Sequence, residues 1–235
     1  MGNIVKTWLL SLVRLVIPCH CAVCGNVLEE CEEVLCMKCD IGLPRTDYHR
    51  QPDNRMEREL WGKMPLVRAS AYFFYQHGGA YARILHLLKY NGRKDYAFIL
   101  GKRVAAELLP SGFFEGVDVI LPVPLHPRKQ QSRGYNQSEC FAQGLSAVTG
   151  IPVEAKAVTR DKDTESQTHK SVMERQENVA GIFTLHRPEA FTGKHVLIVD
   201  DVFTTGATVT ACADALEGVE GLRISVLTLA LAGGY

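Results

Sequence analysis

The stretch that most constrains this chain is residues 196–209, VLIVDDVFTTGATV. Val196, Leu197, Ile198 and Val199 form a short apolar run rich in β-branched side chains, the pattern of a strand buried on both faces of a parallel sheet. Asp200 and Asp201 follow where that strand should end, exposed to a cleft. Next comes a tight turn of small and hydroxylated residues, Thr204, Thr205, Gly206, Ala207 and Thr208. From Ala207 the pattern turns helical, with Val209, Cys212, Ala213 and Leu216 on one face. Backbone N–H groups at a helix start attract an anion, Gly206 lets the backbone approach it, and threonine hydroxyls add neutral donors. Two adjacent carboxylates repel a phosphate, so they must face something else. A ribose diol or its metal ion suits them, since carboxylates accept from hydroxyls and ligate hard cations. The plainer alternative is a strand ending in a capping Asp, but a cap needs one Asp and no Thr-Thr-Gly-Ala-Thr.

This stretch resembles the phosphoribosyl-pyrophosphate (PRPP) signature of type I phosphoribosyltransferases. The resemblance implies a catalytic acidic pair, Asp200 and Asp201, on the ribose hydroxyls. It also implies a 5′-phosphate held by Thr204, Thr205, Gly206, Ala207 and Thr208.

The eight cysteines are unevenly spread, with six between Cys19 and Cys39. Such clustering argues for metal in a reducing, cytoplasmic setting rather than for a disulfide framework. Cys21-Ala-Val-Cys24 and Cys36-Met-Lys-Cys39 are two CxxC pairs that can converge on one tetrahedral Zn²⁺. A closed four-thiolate site leaves no open coordination position, so its role is structural. A redox CxxC is the alternative, without a βαβ context to support it. Cys19 and Cys31 fall outside the pairs. Glu29, Glu30, Glu32 and Glu33 make this region locally acidic and a poor nucleic-acid contact by itself.

Residues 1–62 read as an N-terminal helix, the four-cysteine module and a linker, and residues 63–235 as the second domain. An amphipathic helix is expected over 3–16, packed on this chain or a partner; a membrane-surface anchor is the alternative. Residues 42–63 read as a connection with a short helix at 55–61. A strand is expected at 66–75, and helices at 80–90 and 96–109. Between Tyr81 and Arg103 six basic residues face Asp95 alone. That is a solvated helical face, or, at Lys89, a contact for a polyphosphate or an anionic partner.

A strand at 117–123 leads into HPRKQQSRGYNQ, residues 126–137, and then into a helix at 135–148. Arg128 and Arg133 beside a helix start make a second anion site, or else an exposed basic loop. A strand is expected at 153–159 and a last one at 224–232. Residues 160–170 are polar, without apolar anchors, and contain Thr164, Ser166 and Gln167, with Arg175 beyond; their position makes them a candidate lid. In type I phosphoribosyltransferases the loop corresponding to 126–137 holds the pyrophosphate, which implies that role for Arg128 and Arg133, with Lys89 beside them.

These motifs together resemble the ComF family of competence-associated phosphoribosyltransferase-like proteins, apart from Cys19 and Cys31. The resemblance implies PRPP or a related phosphoribosyl ligand, Mg²⁺ carried with it, and a link to a competence-machinery protein or single-stranded DNA. A non-catalytic nucleotide-sensing or DNA-handling accessory is the alternative reading. Strands alternating with helices argue an α/β fold with a parallel sheet flanked by helices, its ligand loops at the strands' carboxyl ends. The implied class is type I phosphoribosyltransferase-like, preceded by a small zinc-binding module. Net charge is +0, which argues against a strong general attraction to nucleic acid. No stretch reaches the roughly 20 apolar residues that span a bilayer.

Overall fold

A computed structural model of the chain describes residues 18–90, 92–162 and 181–233. The expected helix over 3–16 and the candidate lid residues Thr164, Ser166, Gln167 and Arg175 lie outside these. The elements in chain order are α1 (Met37–Ile41), α2 (Arg55–Leu60), β1 (Leu66–Tyr75), α3 (Ala82–Tyr90), α4 (Lys94–Leu108), β2 (Val119–Pro122), α5 (Pro127–Arg133), α6 (Gln137–Thr149), β3 (Val158–Arg160), β4 (Phe183–Leu185), β5 (His195–Phe203), α7 (Ala207–Asp214) and β6 (Arg223–Ala232).

Four strands form a parallel sheet in the order β1-β6-β5-β2. β5 and β6 are central, and both read as continuous apolar runs because both faces are covered. Alternate residues of β5 feed two cores. Leu197 and Val199 pack with α3, α4 and α6, while Val196 and Ile198 pack with α2 and α7. This is the α/β architecture expected from the sequence. Among the described residues no helix is long and apolar enough to cross a membrane.

Three segments differ from expectation. Residues 42–63 do more than connect. The Phe74 N–H donates to Pro44 O at 2.8 Å and the Thr46 N–H to Tyr72 O at 3.1 Å, so this stretch covers the outer edge of β1. Asn54 then caps α2, whose Met56 and Leu60 are fully buried on the sheet. Leu43, Met56 and Leu60 are buried apolar anchors too widely and unevenly spaced among polar residues to give a readable period. The strand expected at 153–159 is broken. Val153 makes a single parallel bridge to Ile120, and only Val158–Arg160 pairs, antiparallel to β4. Finally, residues 127–133 form a helix rather than a loop, with Pro127 in its first turn, where a missing N–H costs nothing.

The closest helix contact is between α4 and α6. A Cβ added at Gly101 would lie 2.3 Å from Phe141 O, and one at Gly144 2.1 Å from Phe98 O. Neither neighbour can yield, because both are backbone. Gly144→Ala is therefore expected to force the helices apart and to lower unfolding free energy by about 1–3 kcal/mol, the usual cost of overpacking. Urea denaturation of the two proteins measures it; unchanged midpoints would show that the helices are not in this contact.

Candidate functional site

β5 carries Asp200 and Asp201 to the carboxyl edge of the sheet, between β6 and β2. Both are buried, each 9% exposed, against the expectation of an open position. The reason is that β5 runs on to Phe203, with Asp200 still opposite Thr228, and that the first turn of α6 closes over the pair. Ser138 Oγ donates to Asp200 Oδ1 at 2.8 Å, and the Asp201 N–H reaches the same oxygen at 2.8 Å. Gln137 Nε2 donates to Asp201 Oδ2 at 3.2 Å, and Lys89 Nζ from the last turn of α3 pairs with that oxygen at 3.0 Å. Asn136 fixes the turn. Its side chain accepts from the Ser138 N–H at 3.0 Å and donates to Val123 O, just beyond β2, at 3.0 Å.

Ser138 and Gln137 were not singled out from the sequence as site residues. The available signal was their position: uncharged polar residues directly after an Asn cap, at the start of a helix that follows a strand. Lys89, read as part of a solvated helical face or as a contact for a polyphosphate or an anionic partner, is paired here with Asp201.

The electrostatics follow from burial. Desolvation, and then the neighbouring Asp201 charge, push the Asp200 carboxyl up to about 7, against the pull of the Ser138 hydroxyl and the Asp201 N–H. Burial also pulls the Lys89 ammonium down, but the Asp201 carboxylate outweighs it and holds that pKa above the ordinary lysine value.

Beyond β5 the chain turns through Thr204 and Thr205, both exposed, to Gly206, which is buried. Gly206 has φ 75°, and a Cβ there would lie 2.8 Å from Phe203 Cζ and 3.3 Å from Leu60 Cδ2. Only glycine satisfies both the backbone and the packing. It is the N-cap of α7 and offers no side-chain cap. The first N–H groups of that helix are thus left for a ligand or solvent. Among the described residues the hydroxyls of Thr204, Thr205 and Thr208 have no partner, and Thr210 Oγ1 is buried without one.

Of the basic residues, Arg133 at the end of α5 lies with its guanidinium 5.8 Å from the Tyr90 ring, close enough for its charge to act on Lys89. Arg128 is exposed in the first turn of α5, and its guanidinium makes no hydrogen bond or ion pair among the described residues. The structure therefore brings Lys89 to the acidic pair, sets Arg133 where its charge reaches Lys89, and leaves Arg128 exposed.

Cys21, Cys24, Cys36 and Cys39 offer sulfurs that all lie within 4.8 Å of one another, and Cys24 Sγ is 3.7 Å from Cys36 Sγ. A tetrahedral zinc with bonds of about 2.3 Å places its sulfurs about 3.8 Å apart, so the donor set fits such an ion. Burial opposes ionisation of Cys21, yet the Cys36 N–H and further backbone contacts pull that thiol down to about 6. No disulfide joins the four, and Cys19 and Cys31 lie outside the cluster. The cluster is tied to the rest of the fold by Tyr81 Oη, which donates to Cys39 O at 3.1 Å, and by Tyr96 Oη, which donates to His20 O at 3.2 Å.

The raised Asp200 pKa has a signed consequence. The folded, ligand-free chain holds a proton that the unfolded chain releases from its ordinary value of 3.8 upward. Stability from this group therefore falls as pH rises from about 4 to about 7 and stays low above that. Asp200→Asn is expected to melt at least about 2 °C higher than the natural protein at pH 8, roughly 1 kcal/mol for a chain of this size. The difference should vanish near pH 4. Melting curves across this range check it; a variant less stable at pH 8 would refute it.

The phosphoribosyl transferase domain family matches residues 136–234, which contain the acidic pair, the Thr/Gly turn and their α6 partners. The DNA utilization protein YhgH of Escherichia coli is 31% identical over 200 residues, 83% of this chain and 83% of that protein. Competence protein F of Haemophilus influenzae is 36% identical over 110 residues, 46% of this chain and 48% of that one. Competence protein ComFC of Bacillus subtilis is 26% identical over 115 residues, 47% of this chain and 43% of that one. With relatives matching along most of its length and this domain at its carboxyl half, the chain belongs to the ComF family of phosphoribosyltransferase-domain proteins.

Proposed function

We propose that the chain binds PRPP or a related 5-phosphoribosyl ligand at the carboxyl edge of its parallel sheet and transfers or recognises the phosphoribosyl group. The observation that carries this reading is the juxtaposition on one strand–turn–helix unit of a buried acidic pair and an uncapped helix start. Asp200 and Asp201 would accept from the ribose hydroxyls. The Thr204–Thr208 turn would hold the 5′-phosphate through backbone N–H groups and hydroxyls. Arg133 and Lys89 would meet the pyrophosphate, with Arg128 at the rim. Mg²⁺ would enter on the ligand's phosphates and offset the charge of the leaving pyrophosphate. The chain's own work is then positioning and charge stabilisation around an anomeric carbon.

A second reading rests on the relatives' names, which refer to competence and DNA utilization. Tyr90 is 68% exposed beside the Arg133 guanidinium, an arrangement on which an unpaired base of single-stranded DNA can stack. Here the site would sense its ligand and the chain would serve as an accessory in DNA handling, without turnover. Pyrophosphate release measured with PRPP and a panel of acceptors separates the two: release supports transfer, and binding without release supports the accessory role.

The acidic pair decides the ligand. Asp200→Asn with Asp201→Asn is expected to weaken binding of PRPP with Mg²⁺ at least tenfold, about 1.4 kcal/mol, since charge-assisted bonds to the hydroxyls are lost. Calorimetric titration of the folded double variant tests this, and unchanged affinity would remove the diol site from the reading.

For the cysteine cluster we propose a structural Zn²⁺. Protein purified without chelator should carry about one zinc per chain, and Cys36→Ser should lose it and loosen residues 18–43, because metal binding there is folding free energy. Elemental analysis that finds no zinc would refute this.

A further inference from the structure

Among the described residues Lys89 forms one ion pair, with Asp201. Its ammonium lies on Asp201 Oδ2, an oxygen already holding Gln137 Nε2. The other amide atom of the same residue, Gln137 Oε1, is buried without a partner, and Gln137 as a whole is only 4% exposed. The cluster that the ammonium joins thus holds hard oxygens, those of Asp200 and Asp201 and the unpartnered Gln137 amide oxygen, with Lys89 the cation paired to it among the described residues. Such a donor set suits a divalent cation or a pair of hydroxyls as well as it suits an amine. Lys89 is also the most movable member. Its side chain keeps 28% of its exposure, against 12% for Asp201, and stands on a flexible four-carbon stem. The Arg133 charge also acts against the Lys89 ammonium.

We propose that Lys89 is the displaceable counter-cation of the acidic pair, so that the site admits a ligand only when it brings hydroxyls or a divalent cation for the carboxylates together with an anion for the released ammonium. This rests on the phosphoribosyl reading for the identity of that ligand. In the empty site Lys89 offsets the repulsion between Asp200 and Asp201. In the filled site the ligand's hydroxyls or cation take over that work, and the ammonium turns towards Arg133 to share the ligand's pyrophosphate. A ligand with the diol but no pyrophosphate must strip Lys89 from Asp201 and gives it nothing in return. The residue would therefore set selectivity for sugar 1-pyrophosphates over sugars that lack that anion.

The test uses Lys89→Met, which keeps the stem and its packing, and Lys89→Gln, which keeps a neutral donor, each checked by its melting curve. Three probes are titrated: Mn²⁺ alone, ribose 5-phosphate, and PRPP with Mg²⁺. Mn²⁺ alone is expected to bind Lys89→Met at least tenfold tighter than the natural protein, and adding Asp201→Asn should abolish the gain. PRPP should weaken at least tenfold while ribose 5-phosphate holds or tightens, so that selectivity between them collapses. Unchanged Mn²⁺ affinity in both folded variants overturns the proposal. Equal weakening of PRPP and ribose 5-phosphate also overturns it, since Lys89 would then be a uniform contact. If the natural protein binds no PRPP, the phosphoribosyl reading fails by itself, and the Mn²⁺ titration still decides whether Lys89 is a counter-cation.

Discussion

Two negative charges on consecutive residues of a buried strand are tolerable only where the fold supplies cations and donors to meet them, and much of this structure is arranged around that requirement. Asp200 and Asp201 draw on three elements at once: β5 carries them, α6 supplies Ser138 and Gln137, and α3 supplies Lys89. Placing α6 correctly depends in turn on the glycine contact with α4. Gly144 sits two helical turns beyond Gln137, a distance of about 10 Å along the axis. A residue with any side chain there would lever the start of α6 away from the acids. The polar site and the closest apolar contact of the fold are two ends of the same helix.

The same logic links the acids to the cysteine cluster. Tyr81, immediately before α3, donates to the backbone of Cys39, and Lys89, one residue from the end of α3, pairs with Asp201. A single helix of nine residues is thus held at one end by the cluster and at the other by the site. A second tie runs beside it. Asp40, next to Cys39, accepts from Arg45 at 2.9 Å and from Arg103 of α4, while Arg45 and Tyr72 converge on Glu107, each at 2.7 Å. These groups are only partly buried, so each pair contributes modestly alone. Shared partners make them act together as a network, which fixes the orientation of the cluster on β1 and α4.

What could be read from the sequence divides along physical lines. The β5 strand and the turn after it were legible because their residues are locally improbable: four apolar residues, two acids, then Thr-Thr-Gly-Ala-Thr. The two CxxC pairs were legible because metal-ligand spacing is itself local. Ser138 and Gln137 were not, because a polar residue at a helix start has an ordinary reading as part of a cap, and only tertiary contact with β5 gives it another. The edge cover of β1 by residues 44–46 carries no periodic pattern, since it rests on backbone bonds from Thr46 and Phe74 and on the Thr46 hydroxyl, which donates to Ala71 O. Helix α5 was obscured by proline, which marks a turn and a first helical position equally well.

The basic stretch from Tyr81 to Arg103 shows why counting charges misleads. Six cations against one acid looks like a positive surface, yet the structure neutralises half of them. Arg93 pairs with Asp95, Arg103 with Asp40 and Lys89 with Asp201. Two of those three acids lie more than forty residues away in sequence, where no window would find them. Even Asp95 is turned to the task, its carboxyl held below the usual value by the Arg93 guanidinium. A field that draws in nucleic acid indiscriminately needs many unscreened charges of one sign. Here the cation placed on the acidic pair is Lys89, with the Arg133 charge acting on it in turn. Discrimination in such a site comes from where each charge stands relative to the acids, and the chain's overall neutrality says nothing about it.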